Sequence, residues 1–252
     1  MLWKKSFRVW LIALSQNVNF TLFILLFFTL LNFVILIPLI GLFSFFIQNL
    51  INFSLIILFS KIYLKVDGDE EAFRREIENL KYNDAFSYIR EAFMLTVATY
   101  LMSIGILIIV VAFLLILGLV FGISFLAFGT VLPPLFILLG LVFALVIYFS
   151  IVTSYPSFFA RTVIEGRKPQ DYFTLFLTAP FSKLLWKLSF SFEVFLSSLI
   201  IGAISLFIFL AHSLLTFLFP PIGLFSYFIT FVNLLLVYLF GVVSIHYLLK
   251  RG

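Results

Sequence analysis

Three long stretches without a charged side chain constrain the fold of this chain more than any other feature. They run from Val9 to Ser60, from Ala92 to Ala160 and from Val194 to Leu249. A helix needs about 20 apolar residues to span the hydrocarbon of a bilayer, so each stretch can hold two spans. Only 11% of the chain is charged, whereas an ordinary soluble domain carries about 25% charged residues. The pattern therefore predicts an integral membrane protein with six spans.

The spans are predicted to be helices. Within the hydrocarbon, backbone N–H and C=O groups must be hydrogen-bonded inside the segment or around a closed barrel. Strands of a membrane barrel alternate polar and apolar residues, but the three stretches are apolar on every face. The predicted fold class is thus all-α integral membrane, with a single transmembrane domain over residues 1–252.

The sixteen Lys and Arg residues predict the orientation of the spans. They cluster before the first span, between the second and third, between the fourth and fifth, and at the C-terminus. The other three connections carry none. Since cytoplasmic loops collect Lys and Arg, we expect both termini in the cytoplasm. The basic face predicts contact with the lipid bilayer, either through a general orienting role or through anionic lipid head groups, and the acidic central loop argues against nucleic acid.

An internal repeat divides the chain into three similar units. Ile40–Ile47 recurs as Ile222–Ile229 with one difference, each time after a Pro-containing turn, and Leu132-Pro133-Pro134 opens the corresponding helix of the middle unit. Each unit is predicted to contain a cytoplasmic amphipathic helix, a span, an outer turn and a returning span. Repeats in parallel orientation are related by an axis along the membrane normal. The predicted units are residues 1–66, 67–164 and 165–252.

The boundaries of the predicted elements follow from breakers and caps. Residues Trp3 to Leu14 have the spacing of an interfacial helix, and Gly68 and Asp69 predict the end of one helix and the start of the next. Glu70 with Arg74 and Glu71 with Arg75 are predicted ion pairs on that next helix. The spans are expected at about Phe20 to Pro38, from there to about Leu64, then Ala92 to Leu117, Pro134 to Tyr155, Leu188 to Leu210 and Gly223 to Leu249.

Two sequence features resemble those of a known group of proteins. They are the Phe-containing segments before paired spans and the acidic-Gly turn in Ile164-Glu165-Gly166-Arg167-Lys168-Pro169. The chain resembles a broad group of prokaryotic six-helix membrane proteins that includes the membrane domain fused to some glycerophosphodiester phosphodiesterases. The resemblance implies the same architecture in the cytoplasmic (inner) membrane of a prokaryote. It implies no catalytic residues, because the chain lacks a soluble phosphodiesterase domain.

Polar side chains inside the predicted spans are the candidate site. Glu193 is the only carboxylate there, and a charged residue at mid-membrane costs about 2.5–3.5 kcal/mol on translocon scales. It is either a proton or cation site, or an interfacial residue close to Lys187. The amides either line a polar path with Glu193 or join helices by hydrogen bonds. The candidate intramembrane polar site comprises Glu193, Gln48, Asn49, Asn52 and Asn233.

Nothing in the sequence predicts an enzyme, a cofactor or a metal site. The chain has no cysteine, His212 and His246 are expected far apart, and no motif supplies a convergent acid, base or metal. The leading hypothesis is a non-catalytic scaffold or lipid-handling module, with a protein partner or a homo-oligomer as further expectations. The competing hypothesis is a small-solute or ion transporter or channel that uses the amides and Glu193.

Overall fold

The fold is all-helical throughout the part of the chain that the structure, a computed structural model, describes: residues 1–34, 38–128, 140 and 154–251. Three short 3-10 turns cover Tyr82–Phe86, Ala179–Phe181 and Pro220–Phe225. The α-helices are α1 (Leu2–Ser15), α2 (Val18–Val34), α3 (Pro38–Lys65), α4 (Glu70–Glu78), α5 (Ile89–Phe128), α6 (154–165), α7 (Pro169–Thr178), α8 (Lys183–Ser189), α9 (Phe192–Leu218) and α10 (Ser226–Arg251).

Four of the described helices, α3, α5, α9 and α10, are long and apolar enough to cross a membrane. Helices α1 and α2 together form a fifth candidate, because their combined length and apolar character also suffice for a span. The chain bends by 82° at the break between these two helices. These five correspond to the predicted first, second, third, fifth and sixth spans. The predicted fourth span, from about Pro134 to Tyr155, lies outside the described residues except for position 140 and its last two residues.

Three predicted boundaries differ clearly from the observed ones, and one of them is the end of the fifth span, which was expected near Leu210 whereas α9 continues to Leu218. The third span was expected to end near Leu117, but α5 continues through Gly118 to Phe128. A helical glycine costs only about 1 kcal/mol relative to alanine, which is less than the cost of leaving backbone groups unpaired in hydrocarbon. The fifth span was expected to begin near Leu188, but Ser191 adopts an extended backbone and α9 begins at Phe192.

Helices α3 and α10 form the interior of the described structure. In each of them 67% of the apolar window is buried, against 17% in α5 and α9. Helix α10 packs against α1, α2, α3 and α9, and α3 also packs against α5. The large exposed apolar surfaces of α5 and α9 are typical of helices that face lipid.

Helices α3 and α10 run in parallel and in register. Aromatic and polar contacts join residues that are 183 to 185 positions apart: Ser44 with Tyr227, Phe53 with Tyr238, and Tyr63 with His246. The repeated sequence segments Ile40–Ile47 and Ile222–Ile229 are offset by almost the same number of residues. Matching segments of the two helices therefore lie side by side.

Helix α6 completes this interior. The Phe159 ring is fully buried, with its centroid 4.6 Å from the Tyr238 ring of α10 and 6.3 Å from the Phe53 ring of α3. Gly241 of α10 lies directly against the backbone of Pro156. The absence of a side chain at Gly241 allows the two helix backbones to approach closely.

The connection from α3 to α4 is a Schellman motif. Asp67 N donates to the Leu64 carbonyl and Gly68 N donates to the Tyr63 carbonyl. Gly68 has a positive φ, as expected, and Asp67 before it is also left-handed, with φ 54°. Lys250 Nζ lies 2.6 Å from Asp67 Oδ2 and fixes this unusual position. Its hydrogen bond holds the pKa of the Asp67 carboxyl below its usual range.

Helix α4 begins as predicted, because Asp69 accepts a hydrogen bond from Ala72 N. Its ion pairs differ from the expected ones. Glu70 lies 3.5 Å from Arg8 of α1, and Glu71 pairs with Arg74 at 3.9 Å. Glu70 thus pairs with Arg8 of another helix instead of the predicted Arg74 of its own helix, since α1 packs directly against α4.

Candidate functional site: a polar groove between α9 and α10

One face of α9 carries small and polar residues along most of its length. The face contains Ser198, Gly202, Ser205, Phe209, His212 and Thr216, and each of these residues lines one of two adjoining cavities. Residues that alternate by three and four positions lie on the same side of a helix. The stripe therefore faces the groove between α9 and α10, although the rest of α9 is apolar.

The opposite wall of the groove comes from α10. Ser226, Thr230 and Asn233 supply polar side chains to its outer part, where "outer" means the end of α9 and α10 near their connecting turn. Val237 and Phe240 continue the same face toward the other end of α10. Polar residues thus line both walls at one end of the groove and only the α9 wall at the other.

The groove consists of two joined cavities of about 530 and 300 Å³. They share Ser205, Phe209, Asn233 and Val237, so they form one continuous depression. It opens sideways, and the Phe209 ring at its edge is 57% exposed. Among the described residues, no charged side chain lines either cavity.

Three hydroxyl groups in the groove donate their protons to carbonyls of their own helices or turns. Ser213 donates to the Phe209 carbonyl, Thr230 to the Ser226 carbonyl, and Ser226 to the Gly223 carbonyl. Such backbone bonds are common for Ser and Thr in helices. They leave the oxygen lone pairs available, so the groove offers mainly hydrogen-bond acceptors.

His212 adds another acceptor. Its Nε2 lies 3.0 Å from Ser226 Oγ, whose single proton is donated to the Gly223 carbonyl at 2.6 Å. The tautomer that fits this network has its proton on Nε2 and a lone pair on Nδ1.

Two polar groups at the groove wall are unpaired: a carbonyl oxygen, which accepts, and a hydroxyl, which can donate or accept. Asn233 Nδ2 donates to the Ser205 carbonyl at 3.1 Å, but Asn233 Oδ1 and Thr216 Oγ1 are buried without a hydrogen-bond partner in the described structure. A buried polar group without a partner costs about 1–3 kcal/mol. A local widening of the groove would let a donor from a bound molecule reach these oxygens and recover that free energy.

The predicted amides of α3 lie elsewhere. Asn49 Nδ2 donates to the Tyr100 hydroxyl of α5 at 3.0 Å, while Gln48 and Asn52 are buried in the interior. Both amide atoms of Asn52 lack a partner among the described residues. Of the five predicted site residues, only Asn233 lines the groove.

Glu193 is also separate from the groove. It lies in the first turn of α9, its side chain is 42% exposed, and Arg251 Nη1 is 3.7 Å from its carboxylate. At 1.5 Å per helical residue, Glu193 is about 18 Å along α9 from Ser205, the partner of Asn233. The structure therefore does not bring Glu193 together with the amides.

The sequence contained a signal for the groove that was not used. The residues at positions 198, 202, 205, 212 and 216 are all small or polar within an otherwise apolar run, and their spacing puts them on one helix face. Glu193 and the amides stand out in the sequence because each is a single residue that is costly to place in hydrocarbon. Weakly polar residues become informative only when their common face is considered.

These features define the class of protein: an all-helical chain with four or five candidate membrane spans and a lateral polar groove. A protein of Aquifex aeolicus (strain VF5), described as an uncharacterized protein, is 54% identical over 251 residues, which cover 99% of this chain and 93% of that protein. The chain belongs to the same family as this Aquifex protein. No family model and no solved structure gives a significant match.

Proposed function

We propose that this protein is a non-catalytic membrane protein that binds lipid molecules in the groove between α9 and α10. The observation that carries this proposal is a groove with polar side chains, open at its side, on a helix whose other exposed residues are mostly apolar. A head group can occupy the groove while its acyl chains stay in the surrounding lipid. A water-soluble solute would instead need an enclosed polar path.

The groove chemistry supports a particular class of head group. Its walls present oxygen and nitrogen lone pairs and no charged side chain, and these acceptors complement the ammonium of ethanolamine or the hydroxyls of glycerol. Phospholipids with donor-bearing head groups are therefore the proposed ligands. Anionic lipids remain proposed partners of the basic ends of the helices, where Lys and Arg cluster.

The proposal includes six spans in three parallel repeats, with both termini in the cytoplasm of a prokaryotic cell. The parallel register of α3 and α10 supports it, because an axis along the membrane normal brings equivalent helices side by side at equal depth. The proposed resemblance to the membrane domain of some glycerophosphodiester phosphodiesterases concerns this architecture only. A homo-oligomer or a protein partner would bind through the exposed faces of α5 or α9.

The orientation is testable with single cysteines, because the natural chain has none. We expect a membrane-impermeant maleimide to label Arg74→Cys from the cytoplasmic side only and Ile222→Cys from the opposite side only. The measurement is labelling in sealed vesicles of known orientation, before and after permeabilisation. Labelling of both positions from the same side would contradict the proposed topology.

Lipid binding is testable by native mass spectrometry of the detergent-purified protein. We expect the wild-type protein to retain phosphatidylethanolamine or phosphatidylglycerol. The fraction of protein with bound lipid should be at least ten-fold lower in the His212→Leu/Asn233→Leu double variant, because this variant lacks two groove acceptors. Thr174→Leu on the exposed face of α7, where the hydroxyl bonds only the Gln170 carbonyl of its own helix, is the control and should retain lipid as the wild type does. Equal retention by the double variant and the wild type would refute this site.

A further inference from the structure

We propose that the groove between α9 and α10 is a path along which phospholipid head groups cross the bilayer, so that the protein exchanges lipids between the two leaflets without an energy source. This inference rests on the proposed lipid site and adds movement to binding. It depends on the length of the groove, on its polarity at each depth and on its two ends.

The groove has nearly the length of the hydrocarbon core. Its first polar residue on α9 is Ser198 and its last is Thr216, which are five helical turns or about 27 Å apart. The hydrocarbon core of a bilayer is about 30 Å thick. A head group in the groove could therefore meet polar side chains over most of its transit.

The polar side chains follow one another closely along this length. Ser198, Ser205 and His212 are seven residues apart, which puts a polar group of α9 about every 10 Å on the same face. Gly202 lies between the first two, and a Cβ at this position would meet no atom within 4 Å. The groove is thus wide at the level where α10 supplies only apolar residues.

At the level of the apolar Phe209, α10 supplies polar side chains to the groove. Phe209 is directed outward, with 57% of its surface exposed, and Asn233 and Thr230 line the wall at the same level. A head group that leaves water is strongly destabilised for each polar group that finds no compensating hydrogen bond. Lone pairs at intervals of about 10 Å along α9, with those of Asn233 and Thr230 on α10, lower this barrier for a hydrated head group.

A charged pair lies beyond the end of the groove that is opposite the connecting turn. The groove-facing positions of α10 continue at the same spacing to Tyr247 and Arg251, and Arg251 stacks on Tyr247 and lies 3.7 Å from Glu193 of α9. Both charged side chains are substantially exposed. This pair lines neither cavity, but it offers one partner for a lipid phosphate and one for an ammonium at the same end of the two helices.

The experiment uses the full chain reconstituted in vesicles of phosphatidylethanolamine and phosphatidylglycerol with a trace of lipid that carries a fluorescent head group. Dithionite bleaches only fluorophores in the outer leaflet of sealed vesicles. We expect bleaching to extend to the inner-leaflet lipids in vesicles that contain the protein, but not in protein-free vesicles.

The blocking variant is Gly202→Phe, which puts a large ring into the open space of the groove. We expect it to slow the exchange of lipids at least ten-fold. Gly105→Phe is the matched control, because a Cβ at Gly105 also meets no atom within 4 Å but lies on α5, away from the groove. It should exchange lipids at the wild-type rate.

The possible failures are distinguishable. If the wild-type protein retains lipid in mass spectrometry but bleaching stops at the outer leaflet, the inference about movement is wrong and the lipid site stands. If lipids exchange equally fast in Gly202→Phe and the wild type, the path does not follow this groove. If the wild type neither retains lipid nor exchanges it, both proposals fail.

Discussion

Replacing Gly241 with alanine is expected to destabilise this protein by about 3 kcal/mol, the upper part of the range for overpacked sites. The added Cβ would lie 2.5 Å from the carbonyl carbon of Pro156 and 2.8 Å from its Cβ. These are backbone and ring atoms, so no flexible side chain can move aside, and helices α6 and α10 would have to separate. The expected measurement is a fall of roughly 6–12 °C in the apparent melting temperature of the purified protein.

Gly105→Ala is the matched control for this prediction. It adds the same methyl group to a long apolar helix, where nothing lies within 4 Å, and alanine is favoured over glycine in a helix by about 1 kcal/mol. The control should leave the melting temperature unchanged or raise it slightly. If Gly241→Ala behaved as this control does, the close approach of α6 and α10 would be wrong.

Phe159→Ala is expected to cost about 3–5 kcal/mol, the usual range for a fully buried aromatic ring. The ring is 0% exposed and joins three helices, because it contacts Tyr238 of α10 and Phe53 of α3 from its own position on α6. Its removal leaves a cavity that these rigid helices cannot close. A denaturant or thermal unfolding series on the purified protein measures the loss.

Two further variants show whether burial is the cause. Phe217→Ala removes the same atoms from a side chain that is 83% exposed on α9, and its effect should be within about 0.5 kcal/mol of zero. Phe159→Leu keeps most of the apolar volume and should lose less stability than Phe159→Ala. A similar loss for Phe217→Ala and Phe159→Ala would show that α6 does not pack as described.

The positions of most described helices were predictable, because charge and turn residues mark their ends. The Asp69 cap, the start of α4 and the approximate limits of α2, α3 and α10 follow from local rules that neighbouring residues satisfy. The break at Ser191 was missed, since a serine within an apolar run carries only a weak local signal. The continuation of α5 through Gly118 was missed because glycine was given too much weight as a helix breaker.

The candidate site was predicted only in part. Asn233 was selected from the sequence and lines the groove, whereas Glu193 pairs with Arg251 at the beginning of α9 and the α3 amides face α5 and the interior. An amide or carboxylate stands out in an apolar sequence wherever its side chain points. The direction of the side chain depends on which helices are neighbours, and the sequence of one helix does not contain that information.

The sequence by itself determined that the chain is helical and apolar enough for membrane spans, because length, hydrophobicity and charge are properties of each segment alone. Only the tertiary structure decided that α3 and α10 form the interior, that Gly241 contacts Pro156, and that the weakly polar faces of α9 and α10 form one groove. Apolar helices have similar affinity for lipid and for one another, so the choice of neighbours depends on the detailed fit of side chains over many contacts.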